Sequence, residues 1–287
     1  MRVPDENLAQ YEAEGFTIVP RFLDEETLER ARAALWGVFP EPAAYFADPG
    51  AYPQLGQSQF SGIQLFPYPS WDLNRLPCGD DLADVARRAL GSDDVQIYKI
   101  ELWAKYAGAI DYDQGLHRDF GNHTLVVPST DLRYRQLTTF ILLSDVTESD
   151  APTKVVPMSR TRDIALGERY LPTMTWPEAE ISVIGPAGSL FMYRTDIFHR
   201  GSNFTEPGHA RFALLTDFMR RGSPWLGKHA WPDRTPAKGW TEAISRMTPA
   251  QRDLFGFPRP GDPYWTDQTL ADTQTRYARM DMLPYRP

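Results

Sequence analysis

The first third of the chain alternates short helical patterns with residues that form turns. Residues 6–14 predict a helix that ends at Gly15, and the apolar residues 16–19 predict a strand directly after it. Asp24 is the predicted N-cap of a second helix, because its carboxylate can accept a hydrogen bond from the first turn and acidic residues follow it. That helix carries an apolar stripe at helical spacing, formed by Leu28, Ala31, Ala34 and Leu35.

From residue 95 onward, the pattern changes from helices to strands. Before this point, residues 40–80 are rich in Pro, Gly and aromatic side chains without periodicity, which predicts a long packed loop. Residues 81–90 predict a helix with Gly91 just past its end. The predicted strands are 95–106, 124–127, 137–143, 181–184, 189–193 and 212–218. Because these strands do not alternate with helices, they favour an antiparallel sandwich or jelly roll.

These elements together predict a mainly β protein with α-helices. Its core is expected to be a double-stranded β-helix of the jelly-roll or cupin-like type, flanked by N-terminal helices and by a Pro/Trp-rich helical C-terminal extension. We expect residues 1–287 to form one catalytic domain, with a helical and loop support over 1–94 and the jelly-roll core over 95–220. The tail over 221–287 has too many aromatic residues for a disordered segment. We expect it to wrap the barrel or to close over it as a lid.

Composition narrows the classes of function. Cys78 is the only cysteine, which excludes an internal disulfide framework and a Cys-rich zinc site and suits a reducing cytoplasm. The formal net charge of −8 argues against nucleic acid as the main partner. The first residues lack the apolar core of a secretory signal, and no segment approaches the roughly 20 apolar residues of a membrane span. We therefore expect a cytoplasmic protein that binds neither nucleic acid nor a membrane.

Two short motifs carry the most specific chemical signal. His117-Arg118-Asp119 places an imidazole and a carboxylate two residues apart, and His199 ends a later strand-like segment. On an extended strand, alternate side chains point to the same face, so His117 and Asp119 can bind one ion. A remote strand that folds back beside them can supply His199. Two imidazoles and one carboxylate form the facial triad that holds non-haem Fe(II) and leaves positions open for a co-substrate and O2.

Arg211 adds a second chemical signal. It opens the predicted strand after His199, at a position that would otherwise be apolar. Its guanidinium carries a permanent charge and can grip a carboxylate through two parallel hydrogen bonds. Iron together with a carboxylate clamp suggests an oxygenase that uses 2-oxoglutarate as its co-substrate.

Three other interpretations of these motifs compete with the oxygenase. His117-Arg118-Asp119 and Asp119-Phe120-Gly121 resemble two protein-kinase motifs, but these are separate in a kinase, so one Asp cannot serve in both. A zinc hydrolase could use two His and one Asp with an open position, although it offers no role for Arg211. A cupin-like barrel that binds a metal without an oxoacid also stays open.

Longer segments carry a resemblance to a known family. They are residues 11–19, 22–28, the stretch from Lys105 to His117, 188–191 and 199–203, followed by Arg211. With these segments, most of the chain resembles the phytanoyl-CoA dioxygenase family of Fe(II)- and 2-oxoglutarate-dependent enzymes. Two features depart from the family's pattern. Arg118 stands where Gln is common, and residues 157–160 read Pro-Met-Ser-Arg where Pro-Gly-Ser-His is usual, which concerns what the pocket recognises.

The resemblance implies a set of roles for individual residues. The catalytic ligands of Fe(II) would be His117, Asp119 and His199, and the residues that bind 2-oxoglutarate would be Arg211, Lys105 and Ser202. Related halogenases replace the carboxylate ligand by a small residue, so that halide can bind the iron. Because Asp119 is present, we expect hydroxylation or another oxidation with O2, and not halogenation.

Substrate contacts are expected from side chains around the metal motif, namely Trp103, Arg118, Phe120 and Arg135. The strand over 95–106 has two faces, and the sequence does not show which one lines the barrel. The family name suggests acyl-CoA, whereas the wider family oxidises many small molecules, and the chain has no basic cluster for CoA phosphates. We expect a small-molecule substrate, with secondary metabolism as the preferred setting, and a monomer or homodimer.

Overall fold

Two antiparallel sheets form the centre of the protein. The computed structural model describes residues 2–110, 113–171, 176–223 and 230–286, so part of the predicted tail, residues 224–229, lies outside the described residues. The strands are β1 (Phe16–Val19), β2 (Ile63–Leu65), β3 (Val95–Tyr106), β4 (Leu116–His117), β5 (Gln136–Leu142), β6 (Lys154–Val156), β7 (Tyr170–Leu171), β8 (Ile181–Ser182), β9 (Leu190–Arg194), β10 (Phe198–Arg200) and β11 (Ala210–Arg220). The larger sheet has the order β1-β9-β5-β11-β3-β2, and the smaller has β7-β4-β10-β6-β8. This arrangement confirms the prediction of a mainly antiparallel jelly roll.

Helices flank the two sheets. They are α1 (Asp5–Glu14), α2 (Glu25–Leu35), α3 (Pro42–Ala47), α4 (Trp71–Asn74), α5 (Asp80–Leu90), α6 (Phe120–His123), α7 (Trp231–Arg234), α8 (Trp240–Arg246), α9 (Pro249–Asp253) and α10 (Asp267–Arg276). The first two predicted helices and the helix before residue 95 are confirmed. Gly15 and Gly91 end α1 and α5 with φ of 81° and 58°, the left-handed region that favours glycine.

Two sequence predictions need correction. The sequence of residues 124–127 predicts a strand, but these residues do not pair with another strand, and Leu125 is 94% exposed. The local preference for a β-strand is not realised here, because no neighbouring strand offers hydrogen-bond partners. The region 40–80 is less irregular than predicted, since it contains α3, α4 and the strand β2, which pairs with β3.

The two faces of the larger sheet have different neighbours. Side chains on one face pack on the helices, and this outer core contains Leu102 of β3 and Leu214 of β11. Side chains on the other face meet the smaller sheet, where Phe191 of β9 shares a cluster with Val155 of β6. Residues directly opposed in an antiparallel pair share a face. By this register, Lys99, Glu101, Trp103 and Lys105 of β3 lie on the inner face with Arg211, Ala213, Leu215 and Asp217 of β11.

The described part of the C-terminal tail packs against the barrel. Trp231 donates a hydrogen bond from its indole N–H to the carbonyl of Ile97 at 2.8 Å, and the carbonyl of Leu254 accepts one from the Ile97 N–H at 2.7 Å. The helix α9 begins after Thr248, which forms a capping box with Gln251 at its start. Among the helices of the described residues, none combines the length and the apolar character that a membrane crossing requires.

The N-cap of α2 gives a stability prediction. The Asp24 carboxylate accepts a hydrogen bond from the Thr27 N–H at 2.8 Å, and this bond lowers the pKa of Asp24 to about 2. Asp24→Ala should lower the free energy of unfolding by about 1 kcal/mol, measured by urea denaturation at neutral pH. Asp24→Asn keeps an accepting oxygen and should cost much less. Because the folded pKa is depressed, the cap's contribution is present above the unfolded pKa and is lost as the pH falls towards 2. Equal losses in both variants would contradict the capping role.

Candidate metal centre

Two neighbouring strands of the smaller sheet bring the predicted histidines together. His117 of β4 and His199 of β10 are direct partners in the register. Opposed residues of an antiparallel pair point to the same face, and the two ring centroids are 4.6 Å apart. A single pair of strands therefore brings together two residues that lie far apart in the sequence.

Asp119 completes the cluster from the turn after β4. The strand ends at His117, and Asp119 has helical backbone angles just before α6, which differs from the extended strand that the spacing predicts. The carbonyl of Thr195 accepts a hydrogen bond from the Asp119 N–H at 3.0 Å and fixes this turn. The Asp119 Oδ1 lies 3.7 Å from His117 Nε2, and its Oδ2 lies 3.3 Å from His199 Nε2. One ligand atom from each of the three residues lies within 4.8 Å of the other two.

Backbone carbonyls orient both imidazoles. His117 Nδ1 lies 2.8 Å from the carbonyl oxygen of Gly115, and His199 Nδ1 lies 3.2 Å from that of Ile197. Because a carbonyl oxygen can only accept, each Nδ1 carries the proton of the neutral ring, and Nε2 keeps its lone pair. Metal-binding histidines are commonly fixed in this way. The donor set of two imidazole nitrogens and one carboxylate oxygen fits Fe(II).

The local charges favour an ionised Asp119. Burial raises the pKa of this carboxyl, but His199, with His123 and Lys99, lowers it more strongly, to well below its usual range. Burial lowers the pKa of His117, and His199 lowers it further. Burial also lowers the pKa of His199, but Asp119 outweighs burial and raises it above the usual value. Metal binding requires the carboxylate and the neutral imidazole, so an ion would displace a proton from His199.

Tyr193 contacts the metal motif, and no pattern in the sequence indicates this contact. It lies on β9 of the larger sheet, and its hydroxyl donates a hydrogen bond to Asp119 Oδ2 at 2.9 Å. Burial, with Asp119 next, raises the pKa of Tyr193 well above its usual range, so the hydroxyl keeps its proton. In the sequence this residue looks like any aromatic side chain of a buried strand. In the structure it restrains the carboxylate between the two imidazoles.

Tyr193→Phe should raise the Kd for Fe(II) by about 10–100-fold, because outer partners of metal ligands typically contribute this much. The substitution removes only the hydroxyl, so the core packing of the ring is kept. The measurement is an anaerobic Fe(II) titration. Tyr106→Phe is the matched control, because the Tyr106 hydroxyl donates to the Pro40 carbonyl at 2.6 Å and lies on the outer face. An Fe(II) Kd that is the same in both variants would argue against a positioning role for Tyr193.

Arg211 lies on the inner face of the larger sheet. Its Nη1 donates to the carbonyl of Ala151, and burial lowers the pKa of its guanidinium to about 10, opposed by Asp150. Asp150 itself is paired with His209, with Oδ1 and Nδ1 2.6 Å apart. Among the described residues, no carboxylate forms an ion pair with Arg211. A partly buried cation without such a partner is costly, so this position favours an anionic ligand.

Lys105 and Ser202 lie close to each other and beside Arg211. Lys105 is the register partner of Arg211, and its Nζ donates to the Ser202 carbonyl at 3.1 Å. The Ser202 hydroxyl donates to the carbonyl of Pro152 at 2.6 Å. The three residues predicted to bind 2-oxoglutarate therefore lie close together. Lys105 is near the end of β3, Ser202 directly follows β10, and Arg211 is at the start of β11.

The four predicted substrate residues are distributed differently. Trp103 lies on the inner face and donates from its indole N–H to Glu101 Oε2 at 3.0 Å. Phe120 and Arg135 line a cavity of about 320 Å³ beside the loop that includes residues 124–131. The side chain of Arg135 also pairs with Glu12 at 2.5 Å. None of the three candidate metal ligands lines this cavity, so we do not assign it to the reaction.

Arg118 turns away from the metal motif. Its Nη1 donates to the carbonyls of Ala165 and Glu168 at 2.6 and 3.0 Å, and its guanidinium stacks over the ring of Phe198 at 4.0 Å. Arg118 lies between His117 and Asp119 in the chain, and it points to the opposite face because side chains alternate. We therefore leave it out of the proposed substrate site.

A jelly roll that carries two His and one Asp on one face has the features of the non-haem iron oxygenases. The chain belongs to the phytanoyl-CoA dioxygenase family (PhyH), whose pattern matches residues 11–211. It is therefore an enzyme of the iron- and 2-oxoglutarate-dependent oxygenase superfamily, as the resemblance of the sequence implied. The matched segment contains all three candidate ligands and ends at Arg211.

Solved structures share the fold at low sequence identity. The epimerase SnoN, in complex with Fe3+, alpha-ketoglutarate and nogalamycin RO, is 18% identical with a TM-score of 0.55, and the match covers 82% of this chain and 91% of that one. The carbocyclase SnoK from nogalamycin biosynthesis is 18% identical with a TM-score of 0.54, covering 86% and 92%. EctD from S. alaskensis is 18% identical with a TM-score of 0.55, covering 79% and 81%. No curated protein sequence matches the chain.

Proposed function

We propose that the protein uses Fe(II), 2-oxoglutarate and O2 to hydroxylate or otherwise oxidise a small molecule. The observation that carries this proposal is the cluster of His117, Asp119 and His199, whose ligand atoms lie within 4.8 Å of one another. Such a triad holds Fe(II) on one face and leaves the other positions for the co-substrate and O2. When bound, the metal and 2-oxoglutarate supply the oxidising chemistry.

The protein's own residues would bind and orient the co-substrate and the metal ligands. The guanidinium of Arg211 would grip the distal carboxylate of 2-oxoglutarate, since a charged fork suits a carboxylate better than a single ammonium does. Lys105 and Ser202 would line the same end of the site. Tyr193 would hold Asp119 in its ligating orientation. Ser202 and Tyr193 are buried, and Arg211 and Lys105 are partly buried, which limits the competition of water for their hydrogen bonds.

The substrate class that we prefer is a small molecule of secondary metabolism. Two of the similar structures support this preference, since one is an epimerase in complex with nogalamycin RO and the other a carbocyclase from nogalamycin biosynthesis. Because Asp119 occupies the third ligand position, we propose hydroxylation or another oxidation, and not halogenation. Epimerisation and ring closure would use the same metal centre.

An anaerobic titration tests the proposal. The metal-free protein receives Fe(II) and then 2-oxoglutarate, and the visible metal-to-ligand charge-transfer band of the chelate is recorded. The proposal expects a band at one equivalent of each. Iron that binds without a band on addition of 2-oxoglutarate would overturn it and would favour a zinc-type hydrolase or a cupin-like metal protein. Repeating the titration with Zn(II) measures the metal preference of the site.

A further inference from the structure

Three apolar side chains lie at the inner face of the barrel. They are Phe60, in the turn before β2, Ile63 of β2 and Trp103 of β3, and we name them the apolar wall. Ile63 and Trp103 are opposed partners in the register, so both lie on the inner face. The rings of Phe60 and Trp103 are perpendicular, at 90°, and their centroids are 6.1 Å apart. The three side chains therefore form one continuous surface.

The apolar wall is accessible and does not belong to the core. Phe60 is 49% exposed, and Ile63 and Trp103 are partly exposed. Among the described residues, none of the hydrophobic clusters includes these three side chains, although Leu102 and Ala104, on the opposite face of β3, belong to the largest cluster. A group of large apolar side chains that stays accessible commonly marks a binding surface.

Polar contacts inside the barrel hold the Trp103 ring in place. Its indole N–H donates a hydrogen bond to Glu101 Oε2 at 3.0 Å. Glu101 is 1% exposed, and its Oε2 also lies 3.9 Å from Lys99 Nζ, which pairs with Asp217 at 2.8 Å. The single polar atom of the indole is therefore satisfied within the protein. The accessible part of Trp103 offers a ligand only its apolar ring.

Ring contacts connect the apolar wall with the metal centre. The centroid of Trp103 lies 6.2 Å from that of Phe140, which lies 6.2 Å from that of Tyr193, the residue that donates to Asp119. Phe140 belongs to a central strand of the larger sheet, and it is partly exposed, as are His117 and Asp119. The inner face of a central strand can be reached only from the space between the two sheets. The accessible surface of Phe140 therefore faces the space that the metal ligands also border.

We infer that the apolar wall binds a planar, unsaturated ring of the substrate and holds it beside the iron. Aromatic rings pack edge to face or offset on one another, and two perpendicular rings offer a third ring both an edge and a face. A saturated group would bury apolar area on the wall but would gain no such ring contact. The inference rests on the proposed function and names its substrate class, a small molecule with an aromatic ring.

The test compares two alcohols that differ only in the saturation of their rings. Naphthalene-2-methanol is planar, and decahydronaphthalene-2-methanol is its saturated counterpart. Each alcohol is titrated by calorimetry into the anaerobic protein loaded with Fe(II) and 2-oxoglutarate, and the charge-transfer band is recorded. We expect the planar alcohol to bind about two- to tenfold more tightly, which is the range for one aromatic pair. It should also shift the band, because a ligand beside the iron changes its coordination. Burial of apolar area alone would favour the saturated alcohol, which has the larger surface.

Substitutions connect this preference with the apolar wall. Phe60→Leu and Trp103→Leu keep an apolar side chain but remove a ring, so each should weaken binding of the planar alcohol by about two- to tenfold. Trp103→Phe keeps a planar ring and should bind with an intermediate affinity. Because Phe60 is half-exposed, its variant tests the wall even if Trp103→Leu fails to fold. Tyr264→Leu is the matched control, since Tyr264 is 50% exposed and lies nearly perpendicular to Trp265, with centroids 5.0 Å apart.

The outcomes separate the inference from the proposed function. A missing band before any alcohol is added contradicts the proposed function itself. If the band is present, three results overturn the inference alone: the saturated alcohol binds as tightly as the planar one, neither alcohol binds at millimolar concentration, or Phe60→Leu and Tyr264→Leu both bind the planar alcohol as tightly as the wild type.

Discussion

Asp119→Ala is expected to abolish Fe(II) binding at the candidate metal centre and, with it, the turnover of 2-oxoglutarate. This carboxylate is the single anionic ligand of the cluster, and it lies between the Nε2 atoms of His117 and His199. Loss of an outer partner of a ligand typically lowers metal affinity by about 10–100-fold, so loss of the ligand itself should cost at least about 100-fold. Iron content after anaerobic loading and succinate formed from 2-oxoglutarate are the two measurements.

The control for this prediction is Asp131→Ala, which removes a surface carboxylate that pairs with Arg133. It should leave iron content and succinate formation at wild-type levels. Circular dichroism of both variants checks that the fold is kept. Wild-type iron affinity in Asp119→Ala would show that the ligand assignment is wrong, whatever the turnover.

Arg211→Ala is expected to raise the Kd for 2-oxoglutarate by about 30-fold or more. Breaking a buried, hydrogen-bonded charge pair costs about 2–5 kcal/mol, and every 1.4 kcal/mol is tenfold in affinity. Fe(II) binding should change little, because Arg211 lies on β11 of the larger sheet and the ligands lie on and beside the smaller one. The measurement is a titration of the Fe(II)-loaded protein with 2-oxoglutarate, followed through the charge-transfer band.

A second variant separates binding from a local structural effect, since Arg211 also donates to the Ala151 carbonyl. Arg211→Lys keeps the charge but loses the planar fork, so it should bind 2-oxoglutarate with an affinity between those of the wild type and Arg211→Ala. Arg133→Ala, on the surface, is the matched control. If the wild type and both Arg211 variants bind 2-oxoglutarate equally, a different residue holds the distal carboxylate.

Local chemistry allows the candidate metal ligands to be identified from the sequence. Two imidazoles and a carboxylate at the spacing of His117, Asp119 and His199 belong to few types of site. The helix ends were readable for the same reason, since Asp24 and Gly15 act on their own neighbouring backbone. The helix-end predictions succeed because the interaction that decides each of them lies within a few residues.

Other parts of the site could not be predicted, because they depend on which strands are neighbours in the fold. The strand β3 is buried on both faces, so its alternation of side chains does not show which face lines the barrel. The same limit hid Tyr193, which looks like a core aromatic residue until β9 is placed opposite Asp119. A signal was available for Asp217, since a carboxylate in the middle of an apolar strand needs an explanation.

The sequence by itself determined the fold class, the helix caps, the three candidate metal ligands and the candidate arginine, because residue type and short spacing specify them. Tertiary structure decided which face of β3 lies inside the barrel, that Arg118 turns away from the metal motif, and that Tyr193 donates a hydrogen bond to Asp119. It also left residues 124–127 without a partner strand. The physical reason is the same in each case. Burial, charge pairing and strand pairing are relations between distant segments, and a local pattern carries no information about which segments meet.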